Sequence, residues 1–376
     1  MAHGIVSADS HVMEPGDLWQ ERLDRKLRGR APKVIENPKG EGPRFLFAVE
    51  GVPPFPVAGG FAAGRSGEEL RDIMQKGYEA ARPSGWDPVE RIKDQEVDGV
   101  DAEVLYPTLG MTIFAATDAE LQQASFEVYN DWLAEYCRYD ARRLYGIGLV
   151  SLEDIDHAVA SVERLQRQGM RGLMIWGAAP ENRPYSDRAY DPFWAAASEA
   201  GLPVSLHIIA SRGKKSSPYG NSPDAKPLHP GIWYSVVISE IQESLSTLIF
   251  GGVLERFPKL RVVSAENDVG WLPHFGYRMD HAYDKFNSMW TESLPQKPSE
   301  YMRRQIWATF QDDPIGPATH EFFGADNYMW ASDFPHSDST FPDSHSFIER
   351  NFAGVPDAVR RKIIYDNAVR LYGMEL

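Results

Sequence analysis

Six residues in this chain have the types and the spacing of a metal centre. Asp9 and His11 stand two apart in Ala8-Asp9-Ser10-His11, His207 closes Pro203-Val204-Ser205-Leu206-His207, and Glu266 closes Val262-Val263-Ser264-Ala265-Glu266. Asp333 and His336 close Trp330-Ala331-Ser332-Asp333-Phe334-Pro335-His336. Each acid or histidine follows a short apolar run of strand character. Residues two apart on a strand point the same way, so Asp9 and His11 face one side together. Carboxylates and imidazoles gathered where strands end are the donors of a catalytic metal site. Buried and unpaired they would be costly, and a divalent ion satisfies them as a set. The five candidate ligands are therefore Asp9, His11, His207, Glu266 and Asp333.

Elements that could bring these positions together are legible along the chain. Runs rich in Val, Ile and Leu recur at 4–9, 101–106, 144–151, 170–176, 202–209, 260–266, 305–310 and 327–332. Helical patterns lie between and after them at 118–140, 153–168, 188–200, 233–256, 271–290, 298–304 and 355–373. Alternating strand and helix implies a parallel sheet, and eight units whose first and last strands must meet imply a (β/α)8 TIM barrel. All five candidate ligands then sit at C-terminal strand ends, where barrel enzymes keep their chemistry. The chain reads as one barrel domain over 1–376, with 12–97 inserted as a partly structured cap after the first strand. Connections this long tend to be lids or binding surfaces. The glycine-rich Gly51–Gly60 stretch lies in that cap and lacks the Gly-Lys-Ser/Thr of a phosphate loop. A second long connection, 210–232, carries Arg212, Lys214 and Lys215, a basic island suited to an anionic substrate group.

Several pieces in this order resemble the amidohydrolase superfamily, in particular the amidohydrolase 2 or aminocarboxymuconate-semialdehyde decarboxylase-like group. They are Asp9-Ser10-His11-Val12-Met13-Glu14-Pro15, His207, Gly252-Val253-Leu254-Glu255-Arg256-Phe257-Pro258-Lys259-Leu260, Ser332-Asp333-Phe334-Pro335-His336, and Asp366-Asn367-Ala368-Val369-Arg370-Leu371-Tyr372. The resemblance spans essentially the whole chain. It implies Asp9, His11, His207 and Asp333 as metal ligands, and Asp333 also as the carboxylate that moves the proton. His336 would orient Asp333 or hydrogen-bond an intermediate, and Glu14 would be a structural hydrogen-bonding partner.

Two departures from that group matter. Many members carry His-x-His on the first strand, whereas this chain has Asp9-x-His11. Where the decarboxylase group usually has a histidine followed by glycines, this chain has Glu266-Asn267-Asp268-Val269-Gly270. Three carboxylates against two neutral imidazoles keep a net negative charge with only one divalent ion, which opens a binuclear centre, with iron or manganese at least as well suited as zinc. The fourth strand, Leu173-Met174-Ile175-Trp176, lacks the lysine that bridges two metals in some superfamily members, so Glu266 would take that place.

Composition narrows the function. A net charge of −15 disfavours nucleic acid and anionic membrane as partners. No apolar run approaches a membrane span and Met1–Val6 enters a strand without a signal sequence, which reads as a cytoplasmic protein. With 43% hydrophobic residues there is material for one large core. Cys137 stands alone, so disulfides and thiolate clusters within the chain are excluded, and its place in a helical pattern reads as a small buried hydrophobe. The expected activity is metal-dependent hydrolysis of an amide, ester, lactone or thioester, including an acyl-coenzyme A thioester held by Arg212, Lys214 and Lys215. The alternative is non-oxidative decarboxylation, or hydration, of an aromatic or unsaturated acid. A barrel that only binds a ligand comes third. The expected partner is a small apolar or aromatic molecule with an anionic group, handled by a chain that pairs as a homodimer, as relatives commonly do. His229 and His274 are placed near the mouth, while His157 and His281 are expected to be uninvolved.

Overall fold

The structure, a computed structural model, describes residues 4–40, 42–211 and 230–376. Eight strands form one parallel sheet in chain order: β1 (Val6–His11), β2 (Ala102–Tyr106), β3 (Leu144–Leu149), β4 (Gly172–Ile175), β5 (Val204–His207), β6 (Val262–Ala265), β7 (Ile306–Phe310) and β8 (Tyr328–Trp330). Every residue of these strands is buried, because helices cover the outside and side chains fill the inside; that is why the strands read as apolar runs instead of alternating ones. Each expected strand is present, and the fold is a (β/α)8 barrel.

The barrel closes where β1 meets the end of β8. The Asp333 N–H donates to the Asp9 carbonyl at 3.0 Å and the His11 N–H to the Phe334 carbonyl at 2.7 Å. Three buried serines fill the seam: the Ser332 N–H donates to Ser7 Oγ at 2.8 Å, and the Ser7, Ser10 and Ser332 hydroxyls bond one another at 2.8–3.2 Å. The register of β1 against β2 shifts between Ser7 and Ser10, within the same stretch.

The helices follow their sequence signals, with two revisions. The pattern at 233–256 is broken into Pro230–Val236, Ser239–Phe250 and Val253–Arg256, the last break falling at Gly252, which takes the left-handed conformation (φ 71°) that favours glycine. The terminal pattern at 355–373 is interrupted by a π-helical turn over Lys362–Asp366. Cys137 ends the helix Ala119–Cys137, where burial pushes its thiol up to about 12.

Between β1 and β2 the chain builds a three-stranded antiparallel sheet (Lys33–Glu36, Phe45–Val49, Val52–Pro56) and two longer helices, Gly67–Lys76 and Pro88–Asp98. Gly51 (φ 77°) turns the second hairpin, so the glycine- and proline-rich stretch is a hairpin turn and a strand at the sheet's edge, where prolines are tolerated. Trp19 anchors the start of the insertion, with its indole N–H on the Ser125 carbonyl at 2.9 Å and its ring 5.2 Å from that of Phe47. Among the described residues no helix is long and apolar enough to cross a membrane.

Candidate metal centre

All six sequence-selected residues converge at the C-terminal mouth of the barrel. His11 Nε2 lies 3.6 Å from Asp9 Oδ1, 3.5 Å from Glu266 Oε2 and 3.2 Å from Asp333 Oδ1. His207 Nε2 lies 3.6 Å from Asp9 Oδ1 and 3.3 Å from Glu266 Oε2. His336 stands beside them, its Nδ1 3.0 Å from Asp333 Oδ1, close enough for an ion pair though out of line for a hydrogen bond.

The outer atoms of each ligand candidate are tied down, which turns the inner atoms toward one point. His11 Nδ1 meets the Pro107 carbonyl at 2.7 Å and His207 Nδ1 the Ile208 carbonyl at 3.0 Å, so both imidazoles donate there and present Nε2 lone pairs inward. Asp9 Oδ2 accepts from Thr309 Oγ1 at 2.7 Å, and that hydroxyl in turn accepts from the Glu266 N–H at 2.8 Å. Asp9 Oδ1, both His Nε2 atoms and both Asp333 carboxylate oxygens are left buried with no hydrogen-bond partner. Donors bonded to a common ion at about 2.1 Å stand roughly 3 to 3.4 Å apart, which is close to the separations seen. The residues present therefore fit a divalent metal. Two overlapping groups can be drawn, His11, Glu266, Asp333 and His336, and Asp9, His11 and His207.

The local electrostatics reflect this crowding. Burial would lower the His11 pKa, but the surrounding carboxylates of Asp333, Glu266 and Asp9 outweigh it and raise it well above the ordinary imidazole value. His207 is raised against the same burial by Asp9 and Glu266. Burial and the charge of Asp333 push Glu266 up. Burial opposes ionisation of Asp333 too, yet the imidazoles of His336 and His11 hold it well below the usual carboxylate range. Glu266, Asp268 and Asp333 all have left-handed backbones (φ 55°, 54° and 57°), a conformation that costs a non-glycine residue about 1 kcal/mol or more and that clusters at functional sites.

Sequence reasoning missed the supports. Thr309 is one: a polar residue in the apolar strand Ile306-Trp307-Ala308-Thr309-Phe310, which is the signal that could have found it. Thr108 is another, and only the fold reveals it. Its hydroxyl donates to the Val12 carbonyl at 2.6 Å and accepts from His336 Nε2 at 2.9 Å. Glu14 is structural, as expected, and fixes this segment by accepting from the N–H groups of Thr108, Leu109 and Gly110 at 2.8–3.3 Å. His157 lies on the helix Ile155–Gln168 against Glu127, while His274 and His281 flank Tyr277 on the helix Leu272–Phe286. His229, Arg212, Lys214 and Lys215 lie outside the described residues.

A parallel eight-stranded barrel with carboxylates and imidazoles at its strand ends defines a class of barrel metalloenzymes. The amidohydrolase family profile matches residues 51–374, and the chain belongs to that family. It is 24% identical over 218 residues to 2-amino-3-carboxymuconate-6-semialdehyde decarboxylase of Dictyostelium discoideum, a match covering 58% of this chain and 57% of that enzyme's length. The fold is shared with an amidohydrolase of Mycobacterium avium subsp. paratuberculosis (TM-score 0.79, 24% identity, 99% of this chain and 100% of that one). It is also shared with 5-carboxyvanillate decarboxylase of Novosphingobium aromaticivorans (TM-score 0.70, 19% identity, 99% and 96%), whose structure holds manganese and 4-hydroxy-3-methoxy-5-nitrobenzoic acid.

Proposed function

We propose that the protein is a metal-dependent, non-oxidative decarboxylase of a small aromatic or unsaturated carboxylic acid. The observation that carries this reading is the buried Asp333 carboxylate, set between two imidazoles and beside the converging unpaired donors of Asp9, His11 and His207. The relatives support it, since those of named activity are decarboxylases, and they favour it over the hydrolysis expected first from the sequence.

Asp9, His11, His207 and Asp333 would hold one divalent ion, manganese in the light of the neighbour, with iron and zinc chemically admissible. The ion, when bound, supplies a positive site that anchors an anionic substrate and draws electron density from it. The chain supplies the rest. Decarboxylation breaks the bond between the substrate carbon and its carboxylate, leaves the electron pair on that carbon, and releases carbon dioxide. A proton must then arrive at the same carbon. The Asp333 carboxylate is placed to take that proton from His336, whose ring in its protonated form carries one on Nδ1 3.0 Å away, and to pass it to the carbon. His336 is then reprotonated from solvent. Thr108 and Pro107 keep the two imidazoles in position throughout.

One feature supports a second reading. Glu266 Oε2 lies within 3.5 Å of both imidazole Nε2 atoms, so a carboxylate occupies the place where the decarboxylase-like pattern has a histidine. A carboxylate can bridge two ions, and a binuclear centre suits hydrolysis through activated water. The deciding experiment loads the protein with manganese and offers hydroxylated benzoic acids in deuterated water, alongside esters and lactones. Release of carbon dioxide with one deuterium placed on the vacated carbon supports decarboxylation. Hydrolysis of the esters or lactones, with no carbon dioxide from any acid, replaces it by the second reading.

A further inference from the structure

The helix Pro88–Asp98, capped by Asp87, carries a polar stripe at helical core spacing: Arg91, Asp94, Gln95 and Asp98 are all buried. Arg91 is wholly buried and bonds to the barrel wall on both sides of the seam. Its Nε and Nη2 grip the Glu103 carboxylate of β2 at 2.6 and 2.9 Å. Its Nη1 donates to the His11 carbonyl at 2.7 Å and its Nη2 also reaches the Phe334 carbonyl at 3.2 Å, while its guanidinium lies 4.7 Å from the Phe334 ring centroid. Gln95 Nε2 holds the second side of Glu103 Oε2 at 2.7 Å.

We infer that Arg91 is a positioning residue for the metal centre, fixing the distance between His11 on β1 and Asp333 beside Phe334. The inference rests on the reading of Asp9, His11, His207 and Asp333 as metal ligands. A buried ion pair alone is weak grounds for stability, since apolar replacements of similar volume often serve as well. What an apolar pair cannot do is donate to two carbonyls from a rigid, planar fork. Those two carbonyls belong to a ligand candidate and to the neighbour of another, and the Phe334 carbonyl also receives the His11 N–H that closes the barrel. Arg91 therefore clips the first and last strands together at the level of the site, from the outside. It also ties the insertion to the centre, because the same helix is bonded through Asp98 to the N–H and hydroxyl of Ser344, beyond β8.

The test measures manganese(II) affinity of the full chain, by the electron paramagnetic resonance signal of the free ion, with zinc(II) titrated in parallel. Two variants are compared with the wild type: Arg91→Lys, and the double variant Arg91→Met with Glu103→Leu, which leaves no buried charge unpaired. Circular dichroism establishes that each is folded. The double variant is expected to bind manganese about 10–100-fold more weakly, the range seen when groups supporting metal ligands are lost. Arg91→Lys, which keeps the charge but not the fork, is expected to fall in between. A folded double variant with wild-type affinity overturns the inference. If the double variant does not fold, Arg91→Lys decides, and wild-type affinity there overturns it equally. A wild type that binds neither ion defeats the underlying metal reading instead, which separates the two failures.

Discussion

The imidazoles of His11 and His336 stack face to face, their centroids 3.8 Å apart and their planes 27° from parallel. One ring turns Nε2 to the ligand cluster and the other turns Nδ1 to Asp333, so adjacent rings are assigned to different tasks. Replacing them should separate those tasks. His11→Ala is expected to lose bound metal. His336→Asn is expected to keep its metal while kcat falls on the order of 100-fold, the scale of a lost proton-transfer partner. Elemental analysis beside steady-state kinetics checks both, and loss of metal from His336→Asn would place that residue among the ligands.

Glu266, whose Oε2 lies within 3.5 Å of both imidazole Nε2 atoms, is the group on which the proposed one-ion and two-ion centres differ. Metal content of protein purified without added metal, compared with Glu266→Ala, gives the answer directly. Close to two ions per chain falling in the variant would establish a binuclear centre with Glu266 as a ligand. One ion, unaffected, would remove Glu266 from the coordination shell and strengthen the mononuclear decarboxylase reading.

Thr309→Val preserves shape and removes the hydroxyl that joins Asp9 Oδ2 to the Glu266 N–H. Leaving these groups without their partner should cost about 1–3 kcal/mol of stability. It should also weaken metal binding on the order of 10-fold, because Asp9 is no longer held in place. Thermal denaturation and metal titration test the two effects separately. Unchanged metal affinity would mean that Asp9 is oriented by the backbone alone.

The pH dependence of metal binding follows from the raised imidazoles. Burial works against protonation of His11 and His207, but their acidic neighbours prevail and both pKa values are raised. Groups raised in the folded state contribute stability that is complete below the unfolded value, about 6.5, and lost as pH climbs through the folded value. The metal-free protein should thus lose this contribution above neutrality. Metal needs the imidazoles deprotonated, so its affinity should rise over the same window with release of protons. Calorimetry in buffers of different ionisation enthalpy measures that release, and binding without it would contradict the assignment.

Much of this could be read from the sequence because the barrel strands are buried on both faces and so form unbroken apolar runs that end in conspicuous acids and histidines. Asp9, His11, His207, Glu266, Asp333 and His336 stand out for that reason. The supports do not. Thr108 gains its partners only when the segment after β2 folds back beneath Glu14, and Arg91 looks like an exposed helical charge until Glu103 and the seam surround it. The break at Gly252 and the π turn at Lys362–Asp366 are local geometry that helical periodicity does not encode. The donors alone point to hydrolysis first, whereas the relatives favour decarboxylation; both reactions draw on the same donors.

The seam described above places Asp9 and His11 on the first strand of the barrel and Asp333 just past the last. During synthesis, then, a nascent chain can carry most of the barrel through the ribosome exit and still have no complete cage for an ion. On the proposed ligand set, capture of the ion would wait for the last strand, and a chain cut short before β8 would lack the Asp333 ligand.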